Sequence, residues 1–323
     1  MTLVTHEGRA VDVAPGETVL EALLRVGVNA PHSCRAGNCH SCMHRAIEGA
    51  PPPQSQSGLT DAQKAMGYFL PCICRPTTPL TILRPDDLGA SLEAIVRAID
   101  PLSDDIVRLR VEAADFAYRP GQFVELSARE DLKRHYSLAS HPEEDPFLEM
   151  HIRLHQDGRM SRHLAEELHA GDSVHVAGPS GSCFYEGVHT DQPMLLIGAG
   201  TGLAPLYGVL RDALRKGHRG PIRLYHGARS RRGLYLSDEL QTISNARDNF
   251  AYLPCAFDPA APHGGDVAAT ALEAEQSISD AAIFLCGGEN LVKRLKRELF
   301  MRGASLKNIR SDAFTPAVRS AAA

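Results

Sequence analysis

Hydrophobic and polar positions change their rhythm twice along this chain. Residues 3–5 and 10–13 are short runs on either side of Glu7-Gly8, which predicts a hairpin. Thr18 with Glu21 three residues on forms a capping box. Val19, Leu20, Leu23 and Leu24 space an apolar stripe behind it, so a helix follows. Residues 51–58 are polar and proline-rich, hence a loop, and the apolar pattern lapses over 84–89. Beyond that gap short β-like runs recur at 106–111, 122–126, 135–139, 148–154 and 173–177, with one helical piece at 162–168. Turn residues punctuate them, which predicts an antiparallel barrel or sandwich. From about residue 190 the texture becomes strand–helix alternation, with apolar runs at 194–197, 222–226, 251–257 and 282–286 and a crossover helix over 203–216. Alternation of this kind predicts a parallel α/β sheet. The expected domains are therefore 1–84, 91–189 and 190–323.

Composition changes this picture little. The chain has 323 residues, 43% of them hydrophobic and 23% charged. At ~100–200 residues per domain it can fill several cores, and it is neither disordered nor collagen-like. A formal net charge of −5 leaves no footprint for nucleic acid or for an anionic membrane. No apolar run approaches the ~18–20 residues of a membrane span, and the first residues lack the pattern of a signal peptide. A cytoplasmic protein without nucleic-acid or membrane partners is expected.

The cysteines alter the picture more. Five of eight, Cys34, Cys39, Cys42, Cys72 and Cys74, fall within 41 residues. In a reducing compartment a local group of this kind more often holds a metal than disulfides. The spacing is Cys34-x4-Cys39-x2-Cys42, then Cys72 after 29 residues or Cys74 after 31. Three thiolates on a tight loop and one from a distant segment suit a [2Fe–2S] cluster, and Gly37 lets the backbone turn closely around the sulfurs. Zinc is the competing ion, because His32, His40 and His44 interleave with the thiols; tetrahedral sites usually show two Cys-x2-Cys-like pairs, and one is present. A Rieske centre lacks its Cys-x-x-His half. The run Pro31-His32-Ser33-Cys34-Arg35-Ala36-Gly37-Asn38-Cys39-His40-Ser41-Cys42 resembles the cluster loop of plant-type ferredoxins. That resemblance implies Cys34, Cys39, Cys42 and Cys72 as ligands, with Cys74 a neighbouring spare thiol.

The middle segment carries Arg134-His135-Tyr136-Ser137 on an expected strand and Gly158-Arg159-Met160-Ser161 at the start of an expected helix. An arginine fork suits a diphosphate, amides at a helix start suit an anion, and a tyrosine ring offers a stacking face. Taken singly, the first motif also suits an ordinary amphipathic strand and the second an ordinary helix cap. Their order and spacing resemble the ferredoxin–NADP reductase superfamily. The resemblance implies that Arg134, Tyr136 and Ser137 hold a flavin, with the Ser137 hydroxyl near its N5. It further implies that His151, Ile152 and Arg153 line the ribityl and pyrophosphate region, and that Gly158, Met160 and Ser161 contact the pyrophosphate. FAD is expected before FMN.

In the last segment the strand at 194–197 runs into Gly198-Ala199-Gly200-Thr201-Gly202-Leu203-Ala204-Pro205. A glycine loop that follows a strand and opens a helix lets backbone amides approach a dinucleotide. Gly198, Gly200, Thr201, Gly202 and Pro205 resemble the nicotinamide-domain loop of the same superfamily. By the same resemblance Cys286, Gly287 and Gly288 border the nicotinamide, and Arg229 and Ser230 lie at the adenosine ribose. NADH is the expected donor, with NADPH open because Arg231 and Arg232 follow. Cys286 read alone is also a small buried thiol closing a strand. Ser311-Asp312-Ala313-Phe314 resembles the terminal motif of bacterial ring-hydroxylating dioxygenase reductases, which implies Phe314 close to the flavin.

The whole chain thus resembles the reductase components of naphthalene- and benzoate-type dioxygenases. The fold class implied is an α+β ferredoxin-like (β-grasp) domain, an antiparallel β-barrel flavin domain and an α/β parallel-sheet nicotinamide domain. A nicotinamide yields electrons in pairs and an iron–sulfur cluster takes them singly, so a flavin between them is chemically required. The expected catalytic residues are Ser137, Cys286 and Phe314. The expected partner is a Rieske-type terminal oxygenase or a separate ferredoxin. Di-iron monooxygenase and deoxysugar-reducing systems share the module order, and a non-catalytic redox-sensing or metal-binding protein is the reading from another class.

Overall fold

The first hairpin and helix form where the sequence places them. In this computed structural model, which describes residues 2–32, 34–37, 42–59, 61–84, 91–258 and 262–314, β1 (Thr2–His6) pairs antiparallel with β2 (Arg9–Val13). The helix α1 (Val19–Arg25) starts at a complete capping box: Glu21 N–H donates to the Thr18 hydroxyl, and Thr18 N–H donates to the Glu21 carboxylate at 2.8 Å. There follow β3 (His44–Glu48), α2 (Asp61–Ala65), β4 (Tyr68–Phe69) and β5 (Leu80–Leu83). Strand order is β2-β1-β5-β3-β4, with β1 and β5 parallel and the other neighbours antiparallel. Val19, Leu20, Ala22 and Leu23 of α1 bury against Val4, Val11, Phe69 and Ile82. This is the α+β, β-grasp arrangement, and it forms one compact unit, Met1–Gly89.

The remainder, Ala90–Ala323, is the second unit. Its first part contains β6 (Ser91–Pro101), β7 (Ile106–Glu112), β8 (Phe123–Arg129), β9 (Leu132–Ser137), β10 (Leu148–Arg153), the short helix α3 (Arg159–Arg162) and β11 (Ser173–Ser180). The sheet is antiparallel throughout, in the order β10-β7-β6-β11-β8-β9. A bridge between Leu138 and Met150 brings its two edges together, so the sheet closes toward a barrel. The helical piece expected at 162–168 begins at Arg159 and relaxes into a wide π turn over His163–Glu167.

The second part alternates β12 (Met194–Ala199), α4 (Leu203–Arg215), β13 (Ile222–Ala228), α5 (Ser237–Asn245), β14 (Phe250–Ala256), α6 (Val267–Ala274), β15 (Ala282–Gly288), α7 (Glu289–Met301) and β16 (Ile309–Phe314). All five strands are parallel, in the order β14-β13-β12-β15-β16. The order in which strands are added switches sides between β12 and β15, and in open α/β sheets ligands sit at the carboxyl ends of the strands at such a switch. Helix α4 clamps this sheet to the barrel. A Cβ on Gly208 would lie 2.9 Å from Gly121 N and 3.0 Å from Leu138 O, so the two backbones touch there. Arg211 pairs with Glu144 and Asp145, and Arg215 with Glu143, along the same seam.

Candidate functional site

In the first unit the cysteine loop turns at Gly37, whose φ of +78° is open to glycine and whose Cβ would stand 2.8 Å from Ile73 Cδ1. That contact sets the 34–37 loop against the 72–74 turn, so Cys34 and Cys72 belong to one neighbourhood. Cys34 is exposed and its sulfur accepts the Ala36 N–H at 3.4 Å, while Cys42 and Cys72 are buried. Cys39 and His40 lie outside the described residues, and among those residues no three His, Cys, Asp or Glu side chains form a metal-binding group. Cys74 sits fully inside the apolar core, and its carbonyl accepts the Val19 N–H at the start of α1. Arg35 donates to His32 Nε2 at 3.0 Å, which leaves His32 Nδ1 to donate to the Ala30 carbonyl at 2.9 Å. His44 is buried beside His6, with Nδ1 donating to the Cys42 carbonyl. The imidazoles thus face carbonyls and each other, and the thiol donor set with an amide aimed at Cys34 suits an iron–sulfur cluster.

The flavin motif lies on β9. Arg134 and Tyr136 alternate onto one side of the strand, opposite Leu126 and Val124 in register, and Tyr136 packs at the edge of the barrel core. Arg134 is half-buried, and its guanidinium donates to the Lys133 carbonyl. Burial raises the Tyr136 phenol, so the ring stays neutral. Gly158 caps α3, Met160 is buried, and the Ser161 hydroxyl accepts the His155 N–H at 2.8 Å, closing the turn before the helix.

Strand β10 carries His151, Ile152 and Arg153. Ile152 is buried in the barrel core. The His151 ring is sealed at the seam: Nε2 donates to Glu149 at 3.0 Å, and Nδ1 accepts from the Tyr235 hydroxyl at 3.1 Å. Both ring nitrogens are therefore spent within the protein. Burial alone would raise the Glu149 carboxyl, but His151 and Arg110 outweigh it and hold it below the ordinary range. Arg153 ends the strand with its Nη2 3.0 Å from where a Gly200 Cβ would be, so its charge lies against the glycine loop of the sheet; Asp105 pairs with it at 3.4 Å.

Gly198 near the end of β12 and Gly200 and Gly202 in the turn after it stand at close approaches. A Cβ on Gly202 would lie 2.3 Å from the Cys286 carbonyl oxygen, and one on Gly198 would meet Leu206 at 2.7 Å. Thr201 is half-buried in the turn Gly200–Gly202, and Pro205 occupies the third position of α4, where no intrahelical N–H is needed. Cys286, Gly287 and Gly288 end β15 beside this loop, with Gly288 capping α7. Arg229 and Ser230 are exposed just past the carboxyl end of β13.

Strand β16 brings these pieces together. Cys286 pairs in register with Asp312, and Gly288 with the half-buried Phe314. The Ser137 hydroxyl donates to Asp312 Oδ2 at 2.9 Å across 175 residues of sequence. Burial raises the Asp312 carboxyl above its ordinary value, and the Ser137 bond only partly offsets it. Asp312 was visible in the Ser-Asp-Ala-Phe motif, but nothing in the sequence pointed it at Ser137. Cys183 was missed outright: its sulfur stands 3.3 Å from that of Cys286.

Residues 4–77 match the 2Fe-2S iron-sulfur cluster binding domain, 93–185 the oxidoreductase FAD-binding domain, and 196–297 the oxidoreductase NAD-binding domain. The chain is 33% identical to the aromatic O-demethylase reductase subunit of Amycolatopsis sp., over 97% of this chain and 98% of that one. It is 30% identical to the ferredoxin–NAD(P)+ reductase component of the naphthalene 1,2-dioxygenase system of Pseudomonas putida, over 97% and 98%. Among solved structures, an Amycolatopsis cytochrome P450 reductase superposes with a TM-score of 0.67 at 32% identity, covering 98% of this chain and 99% of that one. No described helix is long and apolar enough to cross a membrane.

Proposed function

The chain belongs to the family of iron–sulfur flavoprotein reductase components of oxygenase systems, and from that premise we propose how its residues carry the activity. It is an oxidoreductase with [2Fe–2S], FAD and NAD(P)H as its redox groups. Bound FAD supplies the exchange between electron pairs and single electrons. Arg134 and Tyr136 hold that group by charge and ring face, with the backbone at Gly158, Met160 and Ser161 receiving its diphosphate and β10 flanking it at His151, Ile152 and Arg153. Gly198, Gly200, Thr201, Gly202 and Pro205 shape the loop that takes the pyridine nucleotide, and Arg153 adds positive charge to it. Arg229 and Ser230 serve its ribose, and Cys286 with Gly287 and Gly288 receives the nicotinamide. Ser137, Asp312 and Phe314 close the junction, where the Ser137 hydroxyl donates to the Asp312 carboxyl. Cys34, Cys39, Cys42 and Cys72 ligate the cluster. The observation that carries this reading is the Ser137–Asp312 hydrogen bond beside Cys286, which joins barrel strand, switch-point strand and last strand at one point.

The acceptor in this reading is a Rieske-type oxygenase or its ferredoxin, in the cytoplasm. A haem oxygenase is the second reading, favoured by the likeness to the Amycolatopsis P450 reductase. Purified reductase combined with each class of oxygenase and with NADH distinguishes them. Product formed with the Rieske oxygenase supports the first reading, product with the P450 alone favours the second, and NADH oxidation that drives neither overturns both.

A further inference from the structure

Two thiols separated by 103 positions meet where the barrel abuts the parallel sheet. Cys183 lies in the segment after β11, and Cys286 lies near the end of β15. Their sulfurs are 3.3 Å apart, and the side chains are 0% and 1% exposed. A thiol can both donate and accept weakly, so two sulfurs at this separation share a hydrogen. The Asp312 backbone N–H reaches the Cys286 sulfur from the neighbouring strand, and burial together with Cys183 keeps the Cys286 thiol protonated. Cys286 is thus tethered from two sides, once by β16 and once by the barrel. An untethered thiol would choose among three staggered rotamers. Gly287 and Gly288, which follow it, carry no side chain that could restrict the choice.

We propose that Cys183 is a positioning residue for hydride transfer: its thiol hydrogen-bonds Cys286 and fixes the side chain that meets the nicotinamide. This rests on the reading of Cys286 given under the proposed function. In the step concerned the nicotinamide C4–H bond would break and an N5–H bond would form on the flavin, the hydride carrying both electrons and leaving oxidised nucleotide. Neither thiol loses electrons or its proton. The barrel thereby contributes to the nucleotide side of the junction through a residue that touches neither substrate nor cofactor. A merely structural Cys183 would fill a buried space and affect stability alone.

The test compares full-length holoprotein carrying Cys183→Ala, Cys183→Ser, Cys183→Val or Cys286→Ala. Anaerobic flavin reduction is followed with NADH and with C4-deuterated NADH, beside thermal melts and the infrared S–H stretch of nucleotide-free protein. Losing one weak hydrogen bond predicts about five-fold slower flavin reduction in Cys183→Ala, with unchanged NADH affinity and an altered isotope effect. The serine variant restores most of the rate, because its hydroxyl donates to the Cys286 sulfur. Cys183→Val removes the donor while keeping the space filled, and so carries the test if the alanine variant misfolds. The S–H stretch of Cys286 shifts in the alanine and valine variants. Unchanged rates and isotope effects in both, beside a slow Cys286→Ala, would overturn the positioning role and leave the reading of Cys286 standing. An unaltered rate in Cys286→Ala overturns that reading itself.

Discussion

At the scale of single residues, the two candidate fourth thiols of the cysteine cluster separate by their surroundings. Both lie in the apolar core and flank Ile73, which touches Gly37, but Cys74 is fully buried at the root of α1 and Cys72 retains 7% exposure. Cys72→Ser should therefore abolish the visible iron–sulfur absorbance, while Cys74→Ser should retain it. The reverse result would reassign the ligand. Asp312 makes a second prediction. Its carboxyl is raised by burial, so the neutral form is favoured by folding, and that stabilisation is present at low pH and lost as pH rises through the raised value. Asp312→Asn, which stays neutral and can still accept from Ser137, should gain stability relative to the parent as pH rises from about 4 to about 8. A difference in melting temperature that is flat with pH would show that Asp312 is as well solvated folded as unfolded. These residue roles were legible to different degrees. Cysteine spacing announces itself within one loop, but the partners of Ser137 and Cys286 arrive from 175 and 103 positions away, beyond any local pattern.

At the scale of elements, periodicity found the strands with one buried face or two and missed those whose pattern is weak. The four apolar runs of the parallel sheet became β12, β13, β14 and β15 because both faces of such a sheet are covered. The eleven-residue β6 escaped notice because its burial is confined to a few positions, β4 and β5 are too short to show alternation, and β3 lacks the tight turn that marked β1 and β2. His151 lies on the strand where the resemblance implies, and its ring hydrogen bonds to Glu149 and Tyr235 at the seam are a pairing that no motif announces. The turn between β12 and α4 is where element packing decides sequence. Gly202→Ala would press a methyl into the Cys286 carbonyl and should cost about 1–3 kcal/mol in urea unfolding. Gly288→Ala, with nothing within 4 Å of the added carbon, should stay within about 0.5 kcal/mol of the parent. Equal costs at the two positions would mean that the contact between this turn and β15 yields easily.

At the scale of the molecule, one chain joins a thiol-rich α+β unit to a barrel-and-sheet unit whose junction gathers Ser137, Cys286 and Asp312. Along the chain the modules run from single-electron acceptor to paired donor, the reverse of electron flow, with the flavin module between them. Sequence alone revealed that order because each module carries its own local motif. The seam between barrel and sheet, with Glu149, His151 and Tyr235 on one stretch and Arg211 and Arg215 on another, emerged only with the fold. The most direct measurement is an anaerobic absorbance titration of the purified full-length protein with NADH, preceded by assay of iron, acid-labile sulfide and flavin. The account predicts equimolar iron and sulfide, bound FAD, and bleaching of both flavin and iron–sulfur bands by NADH without any added mediator. Protein that binds both groups but whose iron–sulfur bands stay unbleached after the flavin is reduced would contradict it.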